Sequence, residues 1–119
     1  MTEWVEVATL QELRRRKRKL VIIGDTRIAL FLVDDRVYAL ADTCVHKQRS
    51  LTKGTVLHGR VICPGHQWAF DLESGRADDR DECQPTHDVR IDDSTVYLDP
   101  RPHPAPHRAL QEARMSKEP

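Results

Sequence analysis

Short apolar runs separated by turn-forming residues make up most of the chain. An initial strand-like segment, Trp4 to Ala8, is followed by about eight further segments rich in Val, Ile, Leu and aromatic residues. Two-residue turn signals such as Gly24-Asp25 and Asp34-Asp35 separate several of them, as in hairpins. This pattern predicts an antiparallel, mainly β domain of sandwich or barrel type. The eight predicted strands are Lys19 to Ile23, Arg27 to Val33, Arg36 to Ala41, Thr55 to His58, Arg60 to Cys63, Trp68 to Leu72, His87 to Ile91 and Thr95 to Asp99.

One short helix interrupts this pattern near the N-terminus. Thr9 followed by Glu12 fits a capping box, so a helix is expected from about residue 10 into a run of six cations, Arg14 to Lys19. The simplest interpretation of the run is a solvated helix end, and the alternative is a docking surface for an acidic redox partner. An acidic cluster later in the chain could offset the run within the same molecule: Asp78, Asp79, Asp81 and Glu82.

Length and charge limit the possible functions. The 119 residues suffice for one domain, and 19 basic against 19 acidic residues exclude a global positive field that would capture nucleic acid. The longest apolar run, Ile28 to Val33, is too short to cross a membrane. Asp25 interrupts the apolar segment that follows the basic run, which argues against an export signal, so we expect a cytoplasmic protein. From residue 100 alternating prolines predict a flexible tail over 100–119.

Two loops carry the candidate chemistry. The chain has three cysteines, an odd number that argues against a disulfide framework. Two of them lie in Cys44-Val45-His46 and Cys63-Pro64-Gly65-His66, with sixteen residues between His46 and Cys63. Zinc fingers commonly place Cys with Cys and His with His, whereas here each pair is mixed. A mixed pair makes sense if both thiolates bind one iron and both imidazoles its neighbour, which is the ligand arrangement of a Rieske 2Fe-2S centre.

The chain resembles a small Rieske ferredoxin or the Rieske-type small subunit of a nitrite reductase. The resemblance extends from about Trp4 to Asp99 and includes the flanks of both loops. These flanks are Val37-Tyr38-Ala39-Leu40, Leu51-Thr52-Lys53-Gly54, and Trp68, Phe70, Asp71 and Gly75 after the second loop. It implies a Rieske fold over residues 1–99, with an antiparallel base (1–41 and 76–99) and an inserted cluster-binding subdomain (42–75). A structural zinc site in a binding module is the alternative for the same four residues.

The resemblance also implies a ligand set and a function. Cys44 and Cys63 would bind the inner iron of a 2Fe-2S cluster, and His46 and His66 the outer iron. The protein would be a soluble electron carrier and not itself an enzyme, passing single electrons from an NAD(P)H-dependent flavoprotein reductase to a terminal oxygenase or similar acceptor. The alternative is the small subunit of an assimilatory NAD(P)H nitrite reductase, beside a large sirohaem-containing subunit. Neither nucleic acid nor membrane is expected as a partner.

The same resemblance predicts a low reduction potential. High-potential Rieske proteins carry an extra cysteine in each loop and a serine after the second histidine, and this chain has Arg49, Gly65 and Trp68 at those positions. Gln67 replaces a glycine that many family members have, so the second loop could be shaped differently. Three further residues are expected to be structural or ordinary and not ligands: Cys83, His58 and His87.

Overall fold

The computed structural model describes residues 4–44, 49–64, 68–78 and 82–102. In these ranges it contains ten strands, one α-helix and one short 3-10 helix. The first half comprises β1 (Val5–Thr9), α1 (Leu10–Arg16), β2 (Arg18–Ile23), β3 (Thr26–Val33), β4 (Arg36–Ala41) and the 3-10 helix (Leu51–Lys53). The second half comprises β5 (Thr55–Leu57), β6 (Arg60–Ile62), β7 (Ala69–Asp71), β8 (Thr86–His87), β9 (Val89–Asp92) and β10 (Thr95–Leu98).

The strands form three antiparallel sheets. The central sheet has the order β2-β3-β4-β8, the second β1-β10-β9, and the third β5-β6-β7. The central sheet and the second sheet therefore each combine strands from the N-terminal and C-terminal parts of the chain. The third sheet is formed by three consecutive strands. The third sheet begins and ends inside the predicted 42–75 subdomain. The residue bounds of the two predicted subdomains remain a prediction.

Two-residue turns close most of the hairpins. Asp34-Asp35, His58-Gly59 and Asp93-Ser94 all have positive φ at both residues, as a type I′ turn requires. The backbone twist of such a turn matches that of the flanking strands. Polar residues that tolerate this conformation therefore fix the register of β3 on β4, β5 on β6 and β9 on β10.

The central sheet is covered on both faces. Ala29 and Phe31 in β3 face a core that also contains Cys44, Cys63 and Phe70. Ile28 and Leu30, which alternate with them along the strand, face a second core that also contains residues of α1, β1 and β10. All four β3 residues are fully buried, which explains why β3 is a continuous apolar run and not an alternating one. The central sheet thus separates a core around the two cysteines from a core that holds the base together.

The structure confirms the predicted fold class of mainly antiparallel β-sheets. The predicted helix is present, and Thr9 caps it by accepting a hydrogen bond from the Glu12 amide at 3.0 Å. The capping box is only half formed, because the Glu12 carboxylate binds Arg16 and Lys19 instead. Within the described residues, no helix is long and apolar enough to cross a membrane.

Candidate metal centre

The first cysteine loop leaves the central sheet at the end of β4. Asp42 and Thr43 follow β4, and Thr43 pairs with Ser50 in an isolated antiparallel bridge. The Cys44 amide then donates to the Arg49 carbonyl at 2.9 Å. Residues 44 to 49 therefore form a loop closed at its base by Cys44 itself.

The second cysteine loop connects β6 to β7 and is closed in the same way. The Cys63 amide donates to the Trp68 carbonyl at 2.9 Å, again five residues further along the chain. Pairing of Ile62 with Ala69 continues the hairpin below this bond. The two cysteines thus occupy equivalent positions, each closing the base of its loop by the same backbone hydrogen bond.

The two cysteine side chains meet in the core beneath the loops. Cys44 is fully buried and Cys63 is 2% exposed. Burial, together with the adjacent Cys44 side chain, raises the pKa of the Cys63 thiol to about 12, an effect that nearby Arg49 opposes. In the absence of metal this thiol is protonated at neutral pH. Two neighbouring buried thiols fit a metal centre, because a bound metal stabilises the thiolate form that burial disfavours.

The predicted imidazole ligands lie outside the described residues. His46 and His66 belong to the loop segments 45–48 and 65–67. Among the residues that are described, no group of three or more metal-binding side chains is found. The structure therefore brings together the two predicted thiol ligands and describes the bases of both loops. The assignment of the two histidines remains a prediction.

Gly54 lets the two loop-bearing segments approach closely. It follows the 3-10 helix, and a Cβ at this position would lie 2.3 Å from the Ile62 carbonyl oxygen. Ile62 is the residue before Cys63, so any side chain at position 54 would push the second loop away. The glycine in the sequence motif Leu51-Thr52-Lys53-Gly54 is explained by this contact and not by a positive φ.

A buried carboxylate organises the first loop. Asp42 has no exposed surface, and its side chain accepts hydrogen bonds from the Ser50 hydroxyl (2.7 Å), the Thr52 amide (2.8 Å) and the Thr52 hydroxyl. Arg27 lies 3.8 Å away and contributes a partly exposed positive charge. A buried carboxylate requires such partners. Asp42 therefore joins the start of the loop to the segment that follows it.

The buried side-chain amide of Gln84 holds the same segment, the residues around Asp42, through a second set of hydrogen bonds. Gln84 has no exposed surface, and its Nε2 donates to the Ala41 carbonyl at 2.6 Å and the Thr43 carbonyl at 2.7 Å. The Ala41 amide in turn donates to the Pro85 carbonyl at 2.8 Å. The backbone just before Cys44 is consequently attached to the segment that leads into β8.

Within the basic run, two residues have structural roles that the sequence did not signal. Arg18 lies over the Phe31 ring, and its Nη1 donates to the Thr52 carbonyl at 2.9 Å and the Gly54 carbonyl at 2.5 Å. It thereby fastens the edge strand β2 to the end of the first loop. Lys19 has a similar structural role on the other face, where its ammonium group donates to the Val7 carbonyl at 2.8 Å.

The residues expected to be ordinary have recognisable structural surroundings. Cys83 is half-buried, with its Sγ 3.5 Å from the Ser74 carbonyl oxygen. His87 is buried in β8, where its Nδ1 lies 3.0 Å from the Asp99 carbonyl oxygen, and His58 occupies a turn. Asp78, from the acidic cluster, forms an ion pair with Arg60 and not with the basic run. Asp79 and Asp81 lie outside the described residues.

Comparison with known protein families identifies the centre. A family model described as the Rieske [2Fe-2S] domain matches residues 3–96, which is most of the chain. The chain belongs to the Rieske family. Its cofactor is therefore a Rieske-type [2Fe-2S] cluster, for which two buried thiols at the bases of paired loops are suitable inner-iron ligands. The family match favours this cluster over the structural zinc site.

Curated relatives and solved structures of this Rieske protein include electron-transfer components. The naphthalene 1,2-dioxygenase ferredoxin component of Pseudomonas aeruginosa is 33% identical and aligns with 83% of this chain and 98% of its own length. The structure described as a complex of reduced oxygenase and oxidized ferredoxin in carbazole 1,9a-dioxygenase contains a chain with 25% identity and a TM-score of 0.77. That match covers 85% of this chain and 96% of the other.

A structure described as that of a putative nitrite reductase NADPH (small subunit) is also similar. It is 29% identical, with a TM-score of 0.69, and the match covers 81% of this chain and 97% of the other. Both groups named from the sequence are therefore represented among the related proteins. The ferredoxin components are electron-transfer members of oxygenase systems, which agrees with a role that is not enzymatic on its own.

Proposed function

We propose that this Rieske protein is a one-electron carrier, the ferredoxin component of an oxygenase system. It receives electrons from an NAD(P)H-dependent flavoprotein reductase and passes them to a terminal oxygenase. The observation that best supports this is the pair of buried thiols, Cys44 and Cys63, at the bases of two equivalent loops. When bound there, a [2Fe-2S] cluster supplies reversible one-electron chemistry.

The proposed ligands are Cys44 and Cys63 on the inner iron and His46 and His66 on the outer iron. The protein residues around the thiols keep water from the inner side of the site, since Phe70 and Leu51 in the same core are fully buried. Closure of each loop by its own cysteine amide fixes the backbone at both cysteines. We expect electrons to exchange with partners at the outer iron, for which the proposed ligands are His46 and His66.

Variants of the two histidines test this assignment. His46→Ala and His66→Ala should each abolish the characteristic electron paramagnetic resonance signal of the reduced Rieske centre. The matched control His58→Ala changes an exposed turn histidine and should leave the signal intact. Retention of the full signal in His46→Ala or His66→Ala would contradict the ligand set.

Electron-transfer measurements test the carrier function itself. The protein should accept one electron per chain in an anaerobic reductive titration. With NADH or NADPH and the flavoprotein reductase of a naphthalene dioxygenase system as a probe, it should be reduced at a rate that depends on both proteins. A protein purified anaerobically as a colourless zinc-bound form, or one without a titratable electron, would contradict the proposal.

The second candidate is the Rieske small subunit of an assimilatory nitrite reductase. The solved nitrite reductase NADPH small subunit at 29% identity supports it specifically. The two functions differ in assembly, because a subunit stays bound to a large sirohaem-containing subunit and a ferredoxin is isolated alone. Purification from native cells with a stoichiometric sirohaem protein would favour the second candidate, and isolation without one would favour the first.

A further inference from the structure

Gln84 joins the two segments that carry the inner-iron ligands, although it belongs to neither loop. It precedes β8, and its side chain is fully buried. A primary amide has two N–H donors, and both are used on carbonyls that flank Asp42, namely those of Ala41 and Thr43. Thr43 immediately precedes Cys44, so this amide acts on the peptide directly before a ligand.

The backbone of Gln84 is fixed to the other ligand-bearing segment. The backbone amide of Gln84 donates to the Gly75 carbonyl at 2.6 Å, and the backbone amide of Gly75 donates to the Asp71 carbonyl at 2.8 Å. Asp71 ends β7, the strand that follows the Cys63 loop. Gly75 has a φ of +79°, and a Cβ there would lie 2.0 Å from the Gln84 carbonyl oxygen, so the two backbones touch. Gln84 therefore spans from the end of the second hairpin to the start of the first loop.

The Asp42 carboxylate also holds the segment before Cys44. Its carboxylate accepts from Ser50 and Thr52, which follow the first loop, while Gln84 holds the carbonyls on either side of it. The backbone of the three residues before Cys44, and the side chain of Asp42 among them, are thus held by hydrogen bonds. Buried hydrogen-bond networks that are fully paired restrict a segment to one conformation.

We propose that Gln84 is a positioning residue for Cys44, and that through the Ala41 and Thr43 carbonyls it sets how the Cys44 thiolate approaches the iron it shares with Cys63. This inference rests on the proposed ligand set. Gln84 does not touch the ligand atoms, so its effect is exerted through the backbone that precedes Cys44. It follows that removing its two donors changes the electronic surroundings of the centre as well as its stability.

Gln84→Met tests the inference, because methionine has a similar size and flexibility but no N–H donor. The electron paramagnetic resonance spectrum of the reduced variant should have shifted g-values or broader lines than that of the wild type. A redox titration of the variant should give a different midpoint potential. Its rate of cluster loss, followed by visible absorbance, should rise about tenfold, as expected for the loss of one or two buried hydrogen bonds. Gln11→Met makes the same substitution at an exposed helix position and should resemble the wild type in all three measurements.

A second control separates positioning from general stability. Leu98→Ala removes buried volume from the core on the far side of the central sheet, so it lowers the melting temperature without touching either loop. It should leave the g-values and the midpoint potential at their wild-type values. If Gln84→Met lowers the melting temperature yet keeps a wild-type spectrum and potential, Gln84 is merely structural and the inference is wrong.

A further variant covers the case in which Gln84→Met does not fold. Gln84→Glu keeps the length of the side chain but turns an oxygen towards one of the two carbonyls, and it should displace the g-values in the same way. Wild-type spectra from this variant would overturn the inference. A wild-type protein without a Rieske signal would instead refute the proposed function, so the two failures are distinguishable.

Discussion

At the scale of single residues, the groups around the two thiolates set the electron affinity of the centre. Hydrogen bonds to the sulfurs raise the potential of a Rieske centre. Here the amides of Cys44 and Cys63 are used to close their own loops. Position 68 carries a tryptophan, which has no hydroxyl group to donate, and Arg49 stands where a disulfide-forming cysteine occurs in high-potential members.

We therefore expect a midpoint potential towards the low end of the Rieske range, which begins at about −150 mV. The measurement is a redox titration monitored by electron paramagnetic resonance. Trp68→Ser should raise the potential if its hydroxyl reaches a sulfur of the centre. A wild-type potential well above zero would show that other donors replace those that this chain lacks.

The contact at Gly54 predicts a second single-residue effect. Gly54→Ala places a methyl group against the Ile62 carbonyl, which should lower the free energy of unfolding by about 1–3 kcal/mol and speed cluster loss. Gly24→Ala is the control, because that position has positive φ but open space around it. Gly24→Ala should lower the free energy of unfolding by about 1–2 kcal/mol through backbone strain and leave the rate of cluster loss unchanged. Equal rates of loss in both variants would contradict the proposed close approach.

The sequence predicted the two thiols that the structure brings together, but not the residues that hold the segments around them. Cysteines in paired loops carry a specific pattern, so Cys44 and Cys63 could be chosen without a structure. Asp42, Gln84 and Arg18 belong to residue types that are usually solvated, and their partners are up to 43 positions away in the chain. Their roles depend on long-range contacts that no local pattern records.

At the scale of secondary-structure elements, local signals were sufficient for most of the fold. Short apolar runs and turn-forming residues predicted the hairpins, because the pairing of each hairpin is determined within a few residues. The pairing of β1 with β10 and of β4 with β8 could not be read in this way. These pairs join distant parts of the chain, and their partners are selected by the burial of both faces of the central sheet.

The helix α1 predicts a measurable dependence on pH. A hydrogen bond from Lys19 lowers the pKa of Glu12 from its ordinary value, and Lys19 and Arg16 add electrostatic attraction, while partial desolvation opposes the shift. A carboxyl whose pKa is lower in the folded state stabilises the fold above its unfolded pKa, and this stabilisation is lost as pH falls through the folded pKa. The contribution should therefore be complete at pH 6 and vanish in acid below the ordinary glutamate pKa.

Thermal unfolding of wild type and Glu12→Gln between pH 6 and pH 3 tests this expectation. The wild type should be the more stable at pH 6, and the difference should close as the pH falls. Because dissolved salt screens the ion pairs of Glu12, the difference in stability between wild type and variant should also shrink with added salt. A difference that is independent of pH would indicate a packing effect and not a charge effect.

At the scale of the whole molecule, zero net charge hides an uneven distribution. The run Arg14 to Lys19 lies at one edge of the molecule, with Glu12 as its acidic partner among the described ion pairs. Asp78 neutralises Arg60 elsewhere. Arg14, Arg15 and Lys17 are exposed, while Arg18 and Lys19 are engaged with the backbone. The run is therefore partly structural and partly a basic surface.

This distribution predicts binding to a cation exchanger at neutral pH, despite an isoelectric point near 7.0. Arg14→Glu combined with Arg15→Glu should elute at a clearly lower salt concentration than the wild type. Arg36→Glu combined with Arg90→Glu changes the net charge equally at exposed positions outside the run and should be retained more strongly than the first variant. Equal elution of the two double variants would show that net charge alone determines binding.

The central claim is a [2Fe-2S] cluster with thiolates from Cys44 and Cys63 on one iron and imidazoles from His46 and His66 on the other. Mössbauer spectroscopy of the 57Fe-enriched oxidised protein tests it most directly, since it distinguishes the two irons by their ligands. We predict two quadrupole doublets of equal area, one from a sulfur-ligated iron and one from a nitrogen-ligated iron. A single doublet from two equivalent irons, or a protein that holds zinc and no iron, would contradict the account.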